Sequence, residues 1–127
     1  MRLNPDCIRD ILLVIESLPD MRHYYRFDLE TIPKLFPNYS IEEVQYHIRQ
    51  CDFNGFLHEV SHFQNGDYVV HDLTPKGHEF LANIRENKVW NGVKSIATKV
   101  GSSSLDSLTQ IASNVITELI KAQFSIR

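Results

Sequence analysis

The stretch FLHEVSHFQNGDYVVHDL, residues 56–73, decides the fold of this chain. Apolar and polar residues mix in two strand-like runs on either side of Asn65-Gly66, and this dipeptide between two such runs indicates a β-hairpin. We therefore predict two antiparallel strands joined by a two-residue type I′ turn at Asn65-Gly66. With that turn, the residues that face each other across the two strands are His62 and Val69, Val60 and His71, and His58 and Leu73.

Residues before the hairpin predict three helices. Asn4 and Pro5 suit the cap and the first position of a helix that ends before Pro19. Residues 21–30 fit a short strand or an ordered loop, and residues 31–36 fit a short helix.

The third predicted helix begins with a capping box, in which the Ser40 hydroxyl accepts from the Glu43 N–H and the Glu43 side chain reaches back to the Ser40 N–H. The helix ends near Gly55. Its apolar stripe, which we expect to face the core, consists of Ile41, Val44, His47, Ile48 and Cys51.

Residues after the hairpin predict further helices. Thr74-Pro75 begins one helix, Asn87 caps another, and a long amphipathic helix follows the joint at 101–104. This element order predicts a mostly helical α+β fold: a winged helix-turn-helix with a β-hairpin wing and a C-terminal helical extension. We assign residues 1–87 to the winged helix-turn-helix domain and residues 88–127 to the extension.

The predicted core combines apolar residues from the helices and the wing. The side chains that we expect to be buried are Ile8, Ile11, Leu12, Ile15, Leu35, Val44, Ile48, Leu57, Phe80, Leu81, Ile84 and Trp90.

Two stretches each carry a resemblance to a known family. They are Tyr46-His47-Ile48-Arg49 with Gly55-Phe56-Leu57, and LTPKGHEFL (residues 73–81) with Ile84-Arg85 and Val89-Trp90-Asn91. The first stretch looks like the end of the third helix and the start of the wing in a large family of winged-helix proteins. The second resembles an uncharacterised bacterial and prophage family, a domain of unknown function built as a winged helix with a two-helix C-terminal extension. The resemblance implies a bacterial or phage origin and a winged-helix core, and it implies no established activity.

Composition bounds the class of protein. The chain has 127 residues, of which 43% are hydrophobic and 23% charged, as expected for one globular domain. The sequence contains no run that predicts a membrane span and no signal-peptide pattern. Its two cysteines lie within apolar helical patterns, so we expect reduced thiols and a cytoplasmic location.

Charge is distributed unevenly along the chain. The net charge is −3, but residues 1–75 contain six basic and twelve acidic side chains, whereas residues 76–127 contain seven basic and four acidic ones. The first part therefore carries −6 and the second +3. An acidic first part argues against binding to nucleic acid by charge alone.

The motif His58-Glu59-Val60-Ser61-His62 has the spacing of a zinc metalloprotease. That chemistry requires a helix, where residues four apart lie side by side, but here the motif lies in a predicted strand. On a strand the two histidines are about 13 Å apart. We expect them to point the same way without sharing one metal, although His71 could form a two-histidine site with either of them.

No other pattern predicts catalysis. Neither Cys7 nor Cys51 lies in a basic segment, Ser102–Ser104 lack a nucleophile elbow, and no glycine-rich phosphate loop is present. The sequence therefore predicts a protein that is not an enzyme and has no catalytic residue, no metal site and no cofactor.

Two binding functions stay open. The first is a regulator that binds DNA through the third helix and the wing. The alternative is a protein-interaction module, an adaptor or inhibitor with an acidic surface and no DNA binding. The candidate contact residues are the same for both: Gln45, Tyr46, Arg49, Gln50, Arg22 and Arg26.

The residue pattern of the last helix predicts self-association. Its apolar stripe is broader than a simple coiled-coil seam, and it follows a flexible joint. We expect a homodimer, the commonest kind of oligomer. The predicted dimer residues are Leu105, Leu108, Ala112, Val115, Leu119 and Phe124.

Overall fold

The computed structural model describes residues 1–125, which form a mostly helical α+β fold with six helices and a three-stranded antiparallel sheet. The elements are α1 (Pro5–Glu16), β1 (Tyr25–Phe27), α2 (Thr31–Leu35), α3 (Ile41–Phe53), β2 (Leu57–His62), β3 (Tyr68–Leu73), α4 (Pro75–Ile84), α5 (Asn87–Val100) and α6 (Leu105–Ser125). Strand β3 lies between β1 and β2. The order of elements is the predicted one and is consistent with a winged-helix-like layout.

Local capping chemistry fixes where the first helices begin. The Asn4 side chain accepts from the Asp6 N–H at 3.1 Å, with Pro5 at the first position of α1. At α3 the Ser40 hydroxyl accepts from the Glu43 N–H at 3.1 Å, as predicted. The Glu43 carboxylate accepts instead from the Asn4 side chain at 3.3 Å, so this cap also ties α3 to α1.

The hairpin loop contains three residues, and the predicted two-residue turn is wrong. The Phe63 N–H donates to the Asp67 carbonyl at 2.9 Å, and the Gly66 N–H donates to the Phe63 carbonyl at 3.0 Å. Gly66 has φ +93°, so it takes the left-handed position that follows a type I turn in three-residue hairpins. The Asn65 side chain supports this turn by accepting from the Asp67 N–H at 3.1 Å.

The extra loop residue shifts the register of the strands by one position. His58 faces Asp72 rather than Leu73, and His62 faces Tyr68 rather than Val69. A shift by one residue exchanges the two faces of a strand. The prediction that His71 shares a face with His58 and His62 is therefore wrong.

Helix α1 packs against both α3 and β3, and this contact forms the core of the first part of the chain. Eleven of the twelve predicted core residues are buried, and Leu35 is half-buried. Cys51, Phe27 and Phe56 add to this core with no exposed surface. The hydrophobic periodicity thus identified the inward faces of the helices correctly.

The start of α4 lies against the backbone at the base of the hairpin. The Thr74 N–H donates to the Phe56 carbonyl at 2.9 Å, and the Thr74 hydroxyl donates to the Gly55 carbonyl. The same hydroxyl accepts from the Gly77 N–H at 3.1 Å and so caps α4, as predicted.

Contacts divide the chain into two compact units, residues 1–78 and the part from Glu79 onward. In the second unit, α5 ends at Val100, is capped by Gly101 in the left-handed conformation, and packs against α6. Asn87 is the first residue of α5 rather than its cap, which is Glu86. The functional boundary between residues 87 and 88 stays a prediction.

A buried histidine joins α1 to α3. His47 has no exposed surface, its Nδ1–H donates to the Glu43 carbonyl at 2.7 Å, and its Nε2 accepts from the Asn4 N–H at 2.7 Å. The backbone at the start of α1 is therefore satisfied by a side chain 43 residues later.

Replacing His47 with phenylalanine is expected to lower the free energy of unfolding by about 1–3 kcal/mol, because the part-buried Asn4 N–H loses its acceptor. Urea unfolding measures the change. His58→Phe is the control, since the His58 side chain is 59% exposed and its replacement should change stability by less than about 0.5 kcal/mol. Equal stabilities of the two variants would contradict the role given to His47.

Candidate functional site

The outer face of α3 and the β2–β3 hairpin enclose a groove. Two adjoining cavities of about 150 and 370 Å³ form it and share three lining residues, Arg49, His62 and Tyr68. We call it the α3–hairpin groove; its remaining lining residues are Glu42, Gln45, Tyr46, Asp52, Phe53 and Gly66.

Gln45 joins the two walls of this groove. Its side-chain amide donates to the Gly66 carbonyl at 2.9 Å and so ties α3 to the hairpin loop. A side chain at position 66 would collide with this amide, because a Cβ there would lie 2.9 Å from Nε2 of Gln45. Gln45 was predicted to contact DNA or a partner, but in this structure its amide already has an internal acceptor.

The other predicted residues of α3 are placed differently. Arg49 is exposed and lines both cavities of the groove. Tyr46 is half-buried, with its ring centroid 5.2 Å from that of His47 in an edge-on arrangement. Gln50 is half-buried and does not line the groove, and its main-chain carbonyl accepts from the Asn54 side chain at 2.8 Å.

Aromatic groups that the sequence analysis missed complete the groove. The rings of His62 and Tyr68 are stacked, with centroids 4.6 Å apart and planes 14° apart. Phe53 lines the end of the groove and is 71% exposed. Its place on the outer face could have been predicted, because Glu42, Gln45, Arg49 and Phe53 recur every three or four residues. The His62–Tyr68 stack depends on the true register of the hairpin, which the sequence did not reveal.

Arg26 supports the hairpin from β1. Its guanidinium lies 3.2 Å from the Asp67 carboxylate and 3.3 Å from that of Asp28, and it lies over the Phe63 ring at 5.7 Å. Asp67 is only 6% exposed, so this ion pair orders the base of the loop. Arg26 therefore has internal partners, whereas Arg22 is exposed and precedes β1.

The groove contains both acidic and basic side chains, and its two carboxylates lie in the first and the last turn of α3. Glu42 lies in the first turn of the helix and lines one cavity, and Asp52 in the last turn lines the other. Arg49 lies between them in the sequence and lines both cavities. The groove therefore combines aromatic side chains with one guanidinium and with two carboxylates, one before and one after the arginine along α3.

The metalloprotease-like motif lies on β2, as predicted, and not on a helix. Glu59 has φ +51°, and its carboxylate lies 3.5 Å from Nε2 of His58 and 4.0 Å from Nδ1 of His71. Within the described residues 1–125, no three His, Cys, Asp or Glu side chains are grouped so that they could hold a metal ion.

Neither cysteine is placed for nucleophilic chemistry. Burial raises the pKa of the Cys7 thiol to about 12, with a further contribution from the carboxylates of Glu43 and Asp10. Burial likewise raises the pKa of Cys51 above its ordinary value. Both thiols are therefore protonated at neutral pH, and a thiol is a far weaker nucleophile than a thiolate.

Over residues 1–125 the structure contains no helix with both the length and the hydropathy that crossing a bilayer requires.

Comparison with known proteins gives one family and one relative. The sequence model of a family described as hypothetical protein (DUF2513) matches residues 2–104. A Haemophilus influenzae protein named only as uncharacterized is 32% identical over 123 residues, which cover 94% of this chain and 99% of that protein. No solved structure matches the chain.

Proposed function

The chain belongs to the family described as hypothetical protein (DUF2513), and from this premise we propose that it is a non-enzymatic binding module of winged-helix type whose α3–hairpin groove binds a basic segment of another protein. The observation that carries this proposal is the composition of the groove, with an exposed phenylalanine, a stacked aromatic pair and two carboxylates.

The aromatic lining supports a protein ligand. Exposed aromatic residues are enriched at the centres of protein interfaces, where they supply large contact area at low entropic cost. Phe53 is 71% exposed next to the His62–Tyr68 stack, so a ligand segment lying in the groove would cover an otherwise hydrated ring. Tyr68 is only 3% exposed beneath His62, so the rings that a ligand can reach are those of Phe53 and His62, and arginine side chains of a partner stack favourably on the Phe53 ring.

The charge supports a basic ligand. Glu42 and Asp52 line the groove, and residues 1–75 carry a net charge of −6. Complementary charge steers association and excludes acidic partners. Lysine or arginine side chains of the ligand would meet these two carboxylates.

The regulator that binds DNA through α3 and the hairpin is the competing proposal. Arg49 and Arg22 are exposed and favour it, and a homodimer would present α3 twice to a palindromic site. Against it, the hairpin loop Gln64-Asn65-Gly66 contains no basic residue, and Arg26 and Gln45 have internal partners. Phosphate neutralisation supplies most of the affinity for DNA, and this face offers little of it.

The double variant Glu42→Gln with Asp52→Asn distinguishes the two proposals, because one predicts weaker binding of its ligand and the other predicts tighter binding. Random peptides displayed on phage are selected on the wild-type protein, and the affinities of the enriched peptides are measured by fluorescence anisotropy. We expect the enriched peptides to be rich in Arg and Lys, and the double variant to bind them about three- to tenfold more weakly. If duplex DNA that flanks the gene is the ligand, the same variant should bind it more tightly, since two repulsive charges are removed.

Two controls complete this experiment. Glu30→Gln removes an exposed carboxylate of residues 1–78 that does not line the groove, and it should leave peptide affinity unchanged. Phe53→Ala should weaken peptide binding without changing the net charge. Enrichment of acidic peptides, or salt-sensitive DNA binding that Arg49→Ala abolishes, would overturn the proposal in favour of its competitor.

We propose that the protein is located in the cytoplasm of a bacterium and is not bound to a membrane. Its two buried, unbridged thiols and its bacterial relative support this location. We also propose a prophage origin and a homodimer.

A further inference from the structure

The apolar stripe of α6 is divided into a covered and an uncovered part. Leu105, Leu108 and Ala112 are at most 5% exposed in the unit where α6 packs against α5. Leu119 and Phe124, which continue the predicted stripe, are 47% and 72% exposed. The first three predicted dimer residues are therefore used inside the helical hairpin and are not available to a partner.

The lengths of the two helices account for this division. Helix α6 has 21 residues and α5 has 14, and a four-residue joint connects them. Two antiparallel helices joined by a short loop lie side by side from the loop onward. At the end away from the loop, the longer helix therefore extends past its neighbour by about seven residues, or roughly 10 Å. Leu119, Ile120 and Phe124 lie in this last third of α6, where α5 cannot cover them.

A groove beside α5 extends the uncovered surface. Ile96 of α5 and Val115 and Leu119 of α6 line it together with Asn114 and Glu118. Ile96 is 38% exposed, and Ile120 on α6 is 52% exposed. We call the set Ile96, Val115, Ile116, Leu119, Ile120 and Phe124 the α6 patch.

We propose that the α6 patch binds the same patch of a second copy of this chain, which brings two α5–α6 hairpins together about a twofold axis. This inference names the surface of the proposed homodimer, and it does not depend on ligand binding by the α3–hairpin groove. The exposures of the patch residues correspond to on the order of 500 Å² per copy, so a contact that covers the whole patch on both copies reaches the roughly 1,000 Å² that a specific interface needs. About a twofold axis each patch is covered by the equivalent patch of the other copy, so both patches are buried in one contact.

The charges on α6 fit a second copy. Over its 21 residues the helix carries only Asp106, Glu118 and Lys121 as charged side chains. Glu118 and Lys121 lie 3.5 Å apart and compensate each other within one copy. Two such helices can therefore approach without bringing an uncompensated like charge into the contact.

Sedimentation equilibrium of the full chain over a range of micromolar concentrations tests the proposal. We expect a reversible monomer–dimer equilibrium for the wild type. Leu119→Glu should weaken the dimer at least tenfold, because it introduces a charge into an apolar contact. Since Leu119 is 47% exposed, circular dichroism should show an unchanged helix content.

Gln110→Glu is the matched control. It adds the same charge on the same helix at an exposed position outside the α6 patch, and it should leave the dimer constant within about twofold. A wild-type chain that stays monomeric, an assembly larger than a dimer, or equal dimer constants for the two variants would overturn the proposal. Peptide binding by the α3–hairpin groove is measured separately, so failure of one proposal is distinguishable from failure of the other.

Discussion

Replacing Gly77 with alanine is expected to lower the free energy of unfolding by about 3 kcal/mol or more, although alanine is the better helix former by about 1 kcal/mol. A Cβ at position 77 would lie 2.3 Å from the Phe56 carbonyl oxygen, and this obstacle is backbone rather than a flexible side chain. That carbonyl also accepts from the Thr74 N–H, so it cannot move without loss of the hydrogen bond at the base of the hairpin.

Gly92→Ala is the matched control for this prediction. Gly92 also lies inside a helix, but a Cβ there would meet no atom within 4 Å. Its replacement should raise stability by about 0.5–1 kcal/mol through helix propensity alone. Thermal and urea unfolding of both variants measure the contrast, and a stabilising effect of Gly77→Ala would show that α4 does not start against the hairpin backbone.

Replacing Ile48 or Leu81 with alanine is expected to cost about 2–5 kcal/mol, the usual range when a large core side chain is truncated. Both side chains have no exposed surface. Ile48 lies on the face of α3 that is buried with Val44 and Cys51, and truncation there leaves a cavity that the neighbouring helix cannot easily fill.

Leu29→Ala provides the comparison for these truncations. It removes the same atoms as Leu81→Ala from a side chain that is 66% exposed, so it should change stability by less than about 0.5 kcal/mol. Urea unfolding at constant pH gives the three values. Unchanged midpoints for both Ile48→Ala and Leu81→Ala would contradict the assigned core.

The helices, and the starts of α1, α3 and α4, could be predicted because their determinants are local. Asn4 with Pro5, Ser40 with Glu43, and Thr74 with Pro75 act within a single turn, and each lies at the start of its helix in the structure. The buried faces were predictable for the same reason, since a period of 3.6 residues is visible without knowledge of the partner. Leu35 was the exception, because α2 has only five residues and offers too few positions to define a face.

The hairpin shows the limit of local reasoning. Asn65-Gly66 correctly indicated a hairpin, but the same dipeptide fits a two-residue turn and a three-residue loop whose Gly takes the left-handed position. Contacts from outside the hairpin favour the second form: the Gln45 amide binds the Gly66 carbonyl, and Arg26 binds Asp67. The register, and with it the side chains that face the groove, followed from these distant residues.

The sequence by itself determined the order of the elements, the identity of the helices and the hairpin, the inward faces of the helices, and the place of His58 and His62 on a strand rather than a helix. Only the tertiary structure decided the rest. It pairs Gln45 and Arg26 with groups of the same chain and brings Phe53 and the His62–Tyr68 stack to one groove. It also buries the first three predicted dimer residues of α6, which packs against α5. The physical reason is that capping and periodicity act within a few residues, whereas the availability of a side chain depends on groups that the fold brings from far along the chain.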